Sequence, residues 1–138
     1  MTPSETVTAF IVALTSGDLD AAGTLCHDDL VFENVPLDPR SVQGRDTILA
    51  GLGRLVAMCD RVEWEVLFQM EAGDDVANER IDRFWFRDGV AAEVPVMARW
   101  EVRDGKIAVW RDYYDFAMWD RCFEGGYYAY AARQSSSR

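Results

Sequence analysis

The stretch Asn78-Glu79-Arg80-Ile81-Asp82-Arg83-Phe84-Trp85-Phe86, NERIDRFWF, ends in three aromatic residues and runs into Asp88-Gly89. Aromatic and branched residues leading into an Asp-Gly pair read as a strand entering a hairpin turn. Side chains alternate along a strand, so Arg80, Asp82, Phe84 and Phe86 share one face. The phenylalanines make this the apolar face. An arginine and an aspartate therefore stand among core residues, about 7 Å apart at the Cα atoms, two residue steps along a strand.

Similar patterns continue on both sides. Arg61–Glu71 alternates imperfectly up to a Gly73-Asp74 turn, and Val76–Arg87 is the strand just quoted. Asp88-Gly89 turns it into Val90–Val102, and Asp104-Gly105 leads into Lys106–Asp115. Upstream the periodicity is helical. Thr2-Pro3-Ser4-Glu5 places a cap, an initial proline and a Glu three residues after the cap, followed by Val7, Phe10, Ile11 and Leu14 at helical spacing. Gly17 ends this helix. Asp18 caps a short second one carrying Leu19, Ala22 and Leu25, and Gly44-Arg45-Asp46 opens a third carrying Ile48, Leu49, Leu52, Leu55, Val56 and Cys59. Val31–Asn34 reads as a short strand stopped by Pro36 and Pro39, and Phe116–Glu124 as a short helix stopped by Gly125-Gly126. Segregated helices and antiparallel strands predict an α+β fold. A strongly curved mixed or antiparallel sheet closed on one side by the three N-terminal helices would enclose a deep pocket.

A chain of 138 residues suits one domain, expected over 1–132, with a Ser-rich disordered tail over 133–138. At 49% hydrophobic residues it can bury a core without disulfides or metals. The net charge of −10 argues against nucleic acid, whose phosphates need clustered Lys and Arg. Cys26, Cys59 and Cys122 are few, odd in number and far apart, which fits a reducing compartment. The N-terminal residues show no signal peptide and no run reaches the length of a membrane span, so a cytoplasmic protein without membrane partners is expected.

Two more polar residues join Arg80 and Asp82. In Lys106–Asp115, alternation puts Ala108, Trp110, Asp112 and Tyr114 on one face, and Asn34 shares a face with Phe32. Taken singly, each has a plain structural reading: a buried ion pair, an exposed carboxylate, a residue at a strand end. Taken together, two carboxylates flanking one guanidinium can hold different protonation states. The arginine favours ionisation, while burial and proximity oppose two negative charges. One carboxylate can then serve as base and the other as acid.

These residues resemble the limonene-1,2-epoxide hydrolase family, within the larger group sharing the cone-shaped NTF2-like fold. The matching pieces are Phe32-Glu33-Asn34-Val35-Pro36-Leu37, Glu79-Arg80-Ile81-Asp82, Asp104-Gly105-Lys106-Ile107 and Trp110-Arg111-Asp112-Tyr113-Tyr114-Asp115, in order over Ser4 to Cys122. The resemblance implies that Asp112 takes a proton from the attacking water and Asp82 donates one to the epoxide oxygen. It also implies that Arg80 bridges the two carboxylates and Asn34 holds the water. Further implications are a one-step reaction, no metal or organic cofactor, a small apolar epoxide as substrate, and a homodimer. Phe32, Phe84, Val94, Val96, Tyr114 and Trp119 are the expected substrate-binding residues. Leu52 and Leu55 read more readily as core. The family has a tyrosine where this chain has Phe32, which lacks a hydroxyl. Tyr113, Tyr114, Tyr127, Tyr128 and Tyr130 are candidate replacements. An epoxide-opening cyclase using a substrate hydroxyl, or a non-catalytic apolar-ligand-binding protein, are the alternatives.

Other chemistry is poorly supported. His27, beside Asp28 and Asp29, is the only histidine and reads as a surface residue at a helix end, without the companions a zinc site or a serine triad needs. No phosphate-binding glycine loop occurs. The aromatic run Tyr127-Tyr128-Ala129-Tyr130 could cap the pocket or a dimer interface.

Overall fold

The computed structural model describes residues 1–36 and 42–136. Leu37 and Pro39, and the last two residues of the expected tail, lie outside the described residues. The first helix, α1 (Pro3–Thr15), forms as its sequence dictates: Thr2 Oγ1 accepts from the Glu5 amide at 3.1 Å, and Glu5 Oε1 accepts from the Thr2 amide at 2.8 Å. Val7, Phe10 and Leu14 then bury completely. In α2 (Leu19–Thr24), Asp18 caps the first turn by accepting from the Ala21 amide. The third helix, α3 (Arg45–Ala57), stops before Cys59, which begins a strand instead of ending the helix.

The strands are β1 (Cys26–Val35), β2 (Val42–Gln43), β3 (Cys59–Ala72), β4 (Asp75–Phe86), β5 (Ala91–Arg103) and β6 (Lys106–Tyr114). They form one sheet in the order β2-β1-β6-β5-β4-β3. From β3 to β6 the sheet is the expected antiparallel meander. The hairpin Asp104-Gly105 has positive φ at both turn residues, 52° and 74°, the conformation a two-residue turn needs. β1 is longer than expected and makes the sheet mixed. It starts at Cys26, well before Val31, and it runs parallel to β6. His27 is consequently a strand residue, with Nε2 2.7 Å from the Arg103 carbonyl oxygen, and not a helix-end residue.

β4 and β5 alternate cleanly. Val76, Asn78, Arg80, Asp82, Phe84 and Phe86 are buried, as are Ala92, Val94, Val96, Ala98, Trp100 and Val102 on the same face of the neighbouring β5. Bulges in β3 and β6 bend the sheet around this inner face. Helices α1–α3 cover one part of the face, forming a core around Phe10, Leu14, Leu30, Trp100 and Trp110. A second apolar cluster holds Phe84, Phe86, Trp119, Phe123 and Tyr130.

The C-terminal segment differs most from the sequence reading. The helix expected over Phe116–Glu124 ends earlier, as α4 (Phe116–Asp120). The residues expected to be a disordered tail from Arg133 onward continue a further helix, α5 (Tyr127–Ser136). Its first amide, from Tyr127, donates to Asp120 Oδ1 at 2.7 Å, and the Tyr130 hydroxyl donates to Asp88 Oδ2 at 2.9 Å. Both anchors are distant in sequence, so a local reading of caps cannot find this helix.

Candidate active site

Four strands place the polar residues side by side. Asp112 pairs in register with Asn34 of β1 and Ala98 of β5, while Asp82 of β4 pairs with Val94 of β5 and Trp64 of β3. Arg80 reaches across β5 to join the two carboxylates. Its Nε lies 2.9 Å from Asp82 Oδ1, and its Nη2 lies 3.0 Å from Asp82 Oδ2 and 3.1 Å from Asp112 Oδ2. The small side chain of Ala98, opposite Asp112, leaves room for that crossing. The fork to Asp82 is bidentate, the geometry in which guanidinium and carboxylate match best. Arg80 is fully buried, and Asp82 and Asp112 are 4% and 6% exposed.

The remaining donors and acceptors of this group tie it to the fold. Trp110 donates its indole N–H to Asp112 Oδ1 at 2.7 Å. Asn78 Oδ1 accepts from Arg80 Nη1 at 3.5 Å and from Trp100 Nε1 at 3.3 Å. Its amide donates to Gln69, which in turn donates to the Ser4 carbonyl and to Thr8 on α1. The Trp64 ring covers the guanidinium at 4.6 Å, within cation–π range. Beneath Asp112, Trp110 stacks on Trp100 at 4.7 Å and on Phe32 at 4.1 Å.

Two ionised carboxylates and one guanidinium would leave a net negative charge in a dry site, and one bound proton removes it. Burial accordingly lifts the Asp82 carboxyl to about 6, against the opposing pull of Arg80 and with the help of the negative charge on Asp112. Burial disfavours the charged form of Arg80, but the two carboxylates outweigh it and raise its pKa above the ordinary arginine value.

The carboxylates open into a cavity of about 220 Å³. Every expected substrate-binding residue lines it: Phe32, Phe84, Val94, Val96, Tyr114 and Trp119, together with Asn34. Arg80 does not; it lies behind the carboxylates. Leu52 and Leu55, read as core, also face the cavity. Among the tyrosines, Tyr127 and Tyr128 of α5 join Tyr114 in the lining, whereas Tyr113 is 41% exposed and Tyr130 packs in the second apolar cluster. Trp64, Gly51 and Phe116 line the cavity unforeseen. Trp64 was hidden by a bulge. Met70 pairs with Ala77, but beyond the irregularity between Val66 and Phe68 the register slips by one, so Trp64 meets Asp82 and faces inward. A one-residue slip moves a strand side chain to the other face. Among the described residues, no group of three or more His, Cys, Asp or Glu side chains could hold a metal ion.

The limonene-1,2-epoxide hydrolase catalytic-domain model matches residues 1–122. The chain belongs to the limonene-1,2-epoxide hydrolase family. It is 36% identical over 111 residues to the epoxide hydrolase EphG of Mycobacterium tuberculosis, covering 79% of this chain and 70% of EphG. Its structure resembles that of an LEH-like epoxide hydrolase from M. tuberculosis with a TM-score of 0.75 and 28% identity, over 94% of both chains. An NTF2-like protein of unknown function from Cytophaga hutchinsonii shares the fold, with a TM-score of 0.67 and 19% identity over 83% of this chain and 91% of that one. The family match ends before α5, so Tyr127 and Tyr128 enter the cavity from outside the matched segment. No helix among the described residues is long and apolar enough to cross a membrane.

Proposed function

We propose that this protein is a cofactor-independent epoxide hydrolase that adds water to a small apolar epoxide in one step. The observation that carries the reading is a single buried arginine fork joining two carboxylates at the polar end of an otherwise apolar cavity. Asp112 takes a proton from a water held beside Asn34. The water oxygen attacks an epoxide carbon from the face opposite the ring C–O bond. That bond breaks, its electron pair stays on oxygen, and Asp82 gives this oxygen its proton. A vicinal diol results, with Asp82 left ionised and Asp112 protonated. Transfer of one proton between them, through solvent or the bound product, restores the starting state. Arg80 holds both carboxylates in place and stabilises whichever is charged.

Acid and base catalysis each contribute typically about 100- to 10,000-fold. The dry cavity strengthens both by excluding water from the charges. Incubation with limonene oxide, cyclohexene oxide and styrene oxide in oxygen-18 water should give diol carrying one labelled oxygen. Asp112→Asn and Asp82→Asn should remove turnover while leaving the fold intact. Substantial activity in either variant would sink the roles assigned here.

Phe32 favours a second reading. It stacks on Trp110 and offers no hydroxyl to hold a water, which suits a cyclase whose substrate supplies its own hydroxyl. Labelled oxygen in the product would exclude that reading for the substrate tested. The outer sheet face carries Phe68, Met97 and Tyr113 in one cross-strand row with Glu79, all three apolar or aromatic side chains exposed. This row supports association of two copies, measurable by sedimentation. The three cysteines are free, in keeping with a cytoplasmic location.

A further inference from the structure

Half of the sixteen residues around the cavity are aromatic, against 12% of the chain. Four of the eight, Phe116, Trp119, Tyr127 and Tyr128, come from α4 and α5. Phe84 lies one strand step beyond Asp82 on the same face, about 7 Å away at the Cα atoms. Trp119 of α4 meets Phe84 at 5.0 Å and 71°, and Tyr127 of α5 meets Trp119 at 5.2 Å and 53°. Phe116 and Tyr128 stack on each other at 5.7 Å and also line the cavity. The aliphatic lining comes from elsewhere: Leu52 and Leu55 from α3, Val94 and Val96 from β5.

We infer that Phe84, Trp119 and Tyr127 form a subsite for an aromatic ring, so that the cavity selects aryl-substituted epoxides. The inference deepens the hydrolase reading and rests on it for the reacting group. Rings meeting at steep angles present both edges and faces to the space they enclose. An inserted arene can answer both through its own quadrupole, and a saturated ring of the same skeleton cannot. The spacing fits: with the oxirane at Asp82 and Asp112, a ring attached directly to it reaches the level of Phe84. The volume, about 220 Å³, falls below the ~300–1,000 Å³ of sites for drug-sized ligands, and so favours one ring over a fused polycycle. Tyr127 comes from α5, beyond the segment that matches the family.

Two measurements separate this inference from the hydrolase reading. The first needs no turnover. Benzamide and cyclohexanecarboxamide differ only in the ring, and their amides can accept from one carboxyl and donate to the other. Titration into the intact protein should show benzamide binding about 5- to 10-fold more tightly, the scale of one or two aromatic pairs. The second compares kcat/KM for styrene oxide and cyclohexyloxirane. The preference for the aryl epoxide should fall several-fold in Tyr127→Leu and persist in Tyr127→Phe, which keeps the ring. Equal or reversed affinity for the two amides, or no binding of either at millimolar concentration, would overturn the subsite. So would an aryl preference equal in Tyr127→Leu and wild type. Amide discrimination without hydrolysis of any epoxide would keep the subsite and remove the hydrolase.

Discussion

β4 carries an arginine cluster on each face. Inward, Arg80 joins Asp82 and Asp112 with no exposed side-chain surface of its own. Outward, Arg83 lies within 2.8 Å of Glu63, 2.9 Å of Glu65 and 3.7 Å of Glu93, with the glutamates 38–57% exposed. The charged groups are the same kinds at similar distances. Their surroundings differ. Water screens the outer cluster and weakens the attraction between its groups. The inner cluster has no such screening, so its charges must be settled among three groups, and one carboxyl retains a proton at a pH where an exposed one would not. The difference arises from burial of an ordinary ion pair, not from unusual residues.

The largest expected effect is on turnover. Asp112→Asn keeps the shape and one of the two accepted hydrogen bonds, from Trp110 or from Arg80, but cannot take a proton. Epoxide hydrolysis should fall about 100- to 10,000-fold while the protein still unfolds in one cooperative transition. Next comes stability. Arg80→Met leaves two carboxylates facing each other in the core, and breaking a buried pair in this way costs about 3–5 kcal/mol. Urea unfolding should show a larger loss at pH 7 than at pH 4.5, since protonation at the lower pH removes the repulsion. A loss independent of pH would mean that the arginine fills space and does not balance charge.

The pH response of the intact protein follows from Asp82. Its folded value is raised from 3.8 to about 6. The stability it contributes is therefore fully present below the unfolded value and is lost as pH rises through about 6. The protonated form proposed as the acid disappears over the same range, so kcat/KM should decline above about pH 6. Asp82→Asn should flatten the stability change. Trp64 tests how far dryness controls that value. Trp64→Leu removes the ring over the guanidinium, a contact worth about 2 kcal/mol when desolvated, and admits water. The descending limb should move to lower pH. Trp64→Phe should behave much like the wild type, because the Trp64 indole N–H has no hydrogen-bond partner among the described residues. A shifted limb in Trp64→Phe would overturn the role given to the ring.

How much of this was legible depended on the distance over which each feature is specified. The capping box of α1, the Asp104-Gly105 turn and the alternation that set Arg80 and Asp82 beside Phe84 are encoded within a few residues, and all were readable. The family resemblance supplied the rest of the expected site, and its residues do converge on one cavity. Three features depend on distant partners. The parallel pairing of β1 with β6, which brings Asn34 beside Asp112, has no turn to announce it. The inward position of Trp64 depends on a bulge that alternation cannot count. The helix carrying Tyr127 and Tyr128 is capped by Asp120 from seven residues away and pinned by Asp88 from the β4–β5 turn, so its Ser-rich sequence read as a tail.

The smallest expected effect comes from the outer cluster and completes the contrast. Arg83→Gln removes the cation shared by Glu63, Glu65 and Glu93 while keeping a polar side chain on the sheet surface. The loss of attraction is largely screened, and the long side chains regain freedom they had surrendered to the cluster. The urea midpoint should barely move at physiological salt. Any decrease seen at low salt should shrink as salt is added, because freed glutamates repel one another across water. The descending limb of kcat/KM should stay where it is in the wild type, since Arg83 points away from Asp82 on the opposite face of the strand. A limb displaced by Arg83→Gln would mean that charge on the outer face reaches the acid through the sheet, and burial alone could no longer account for the proton that Asp82 keeps.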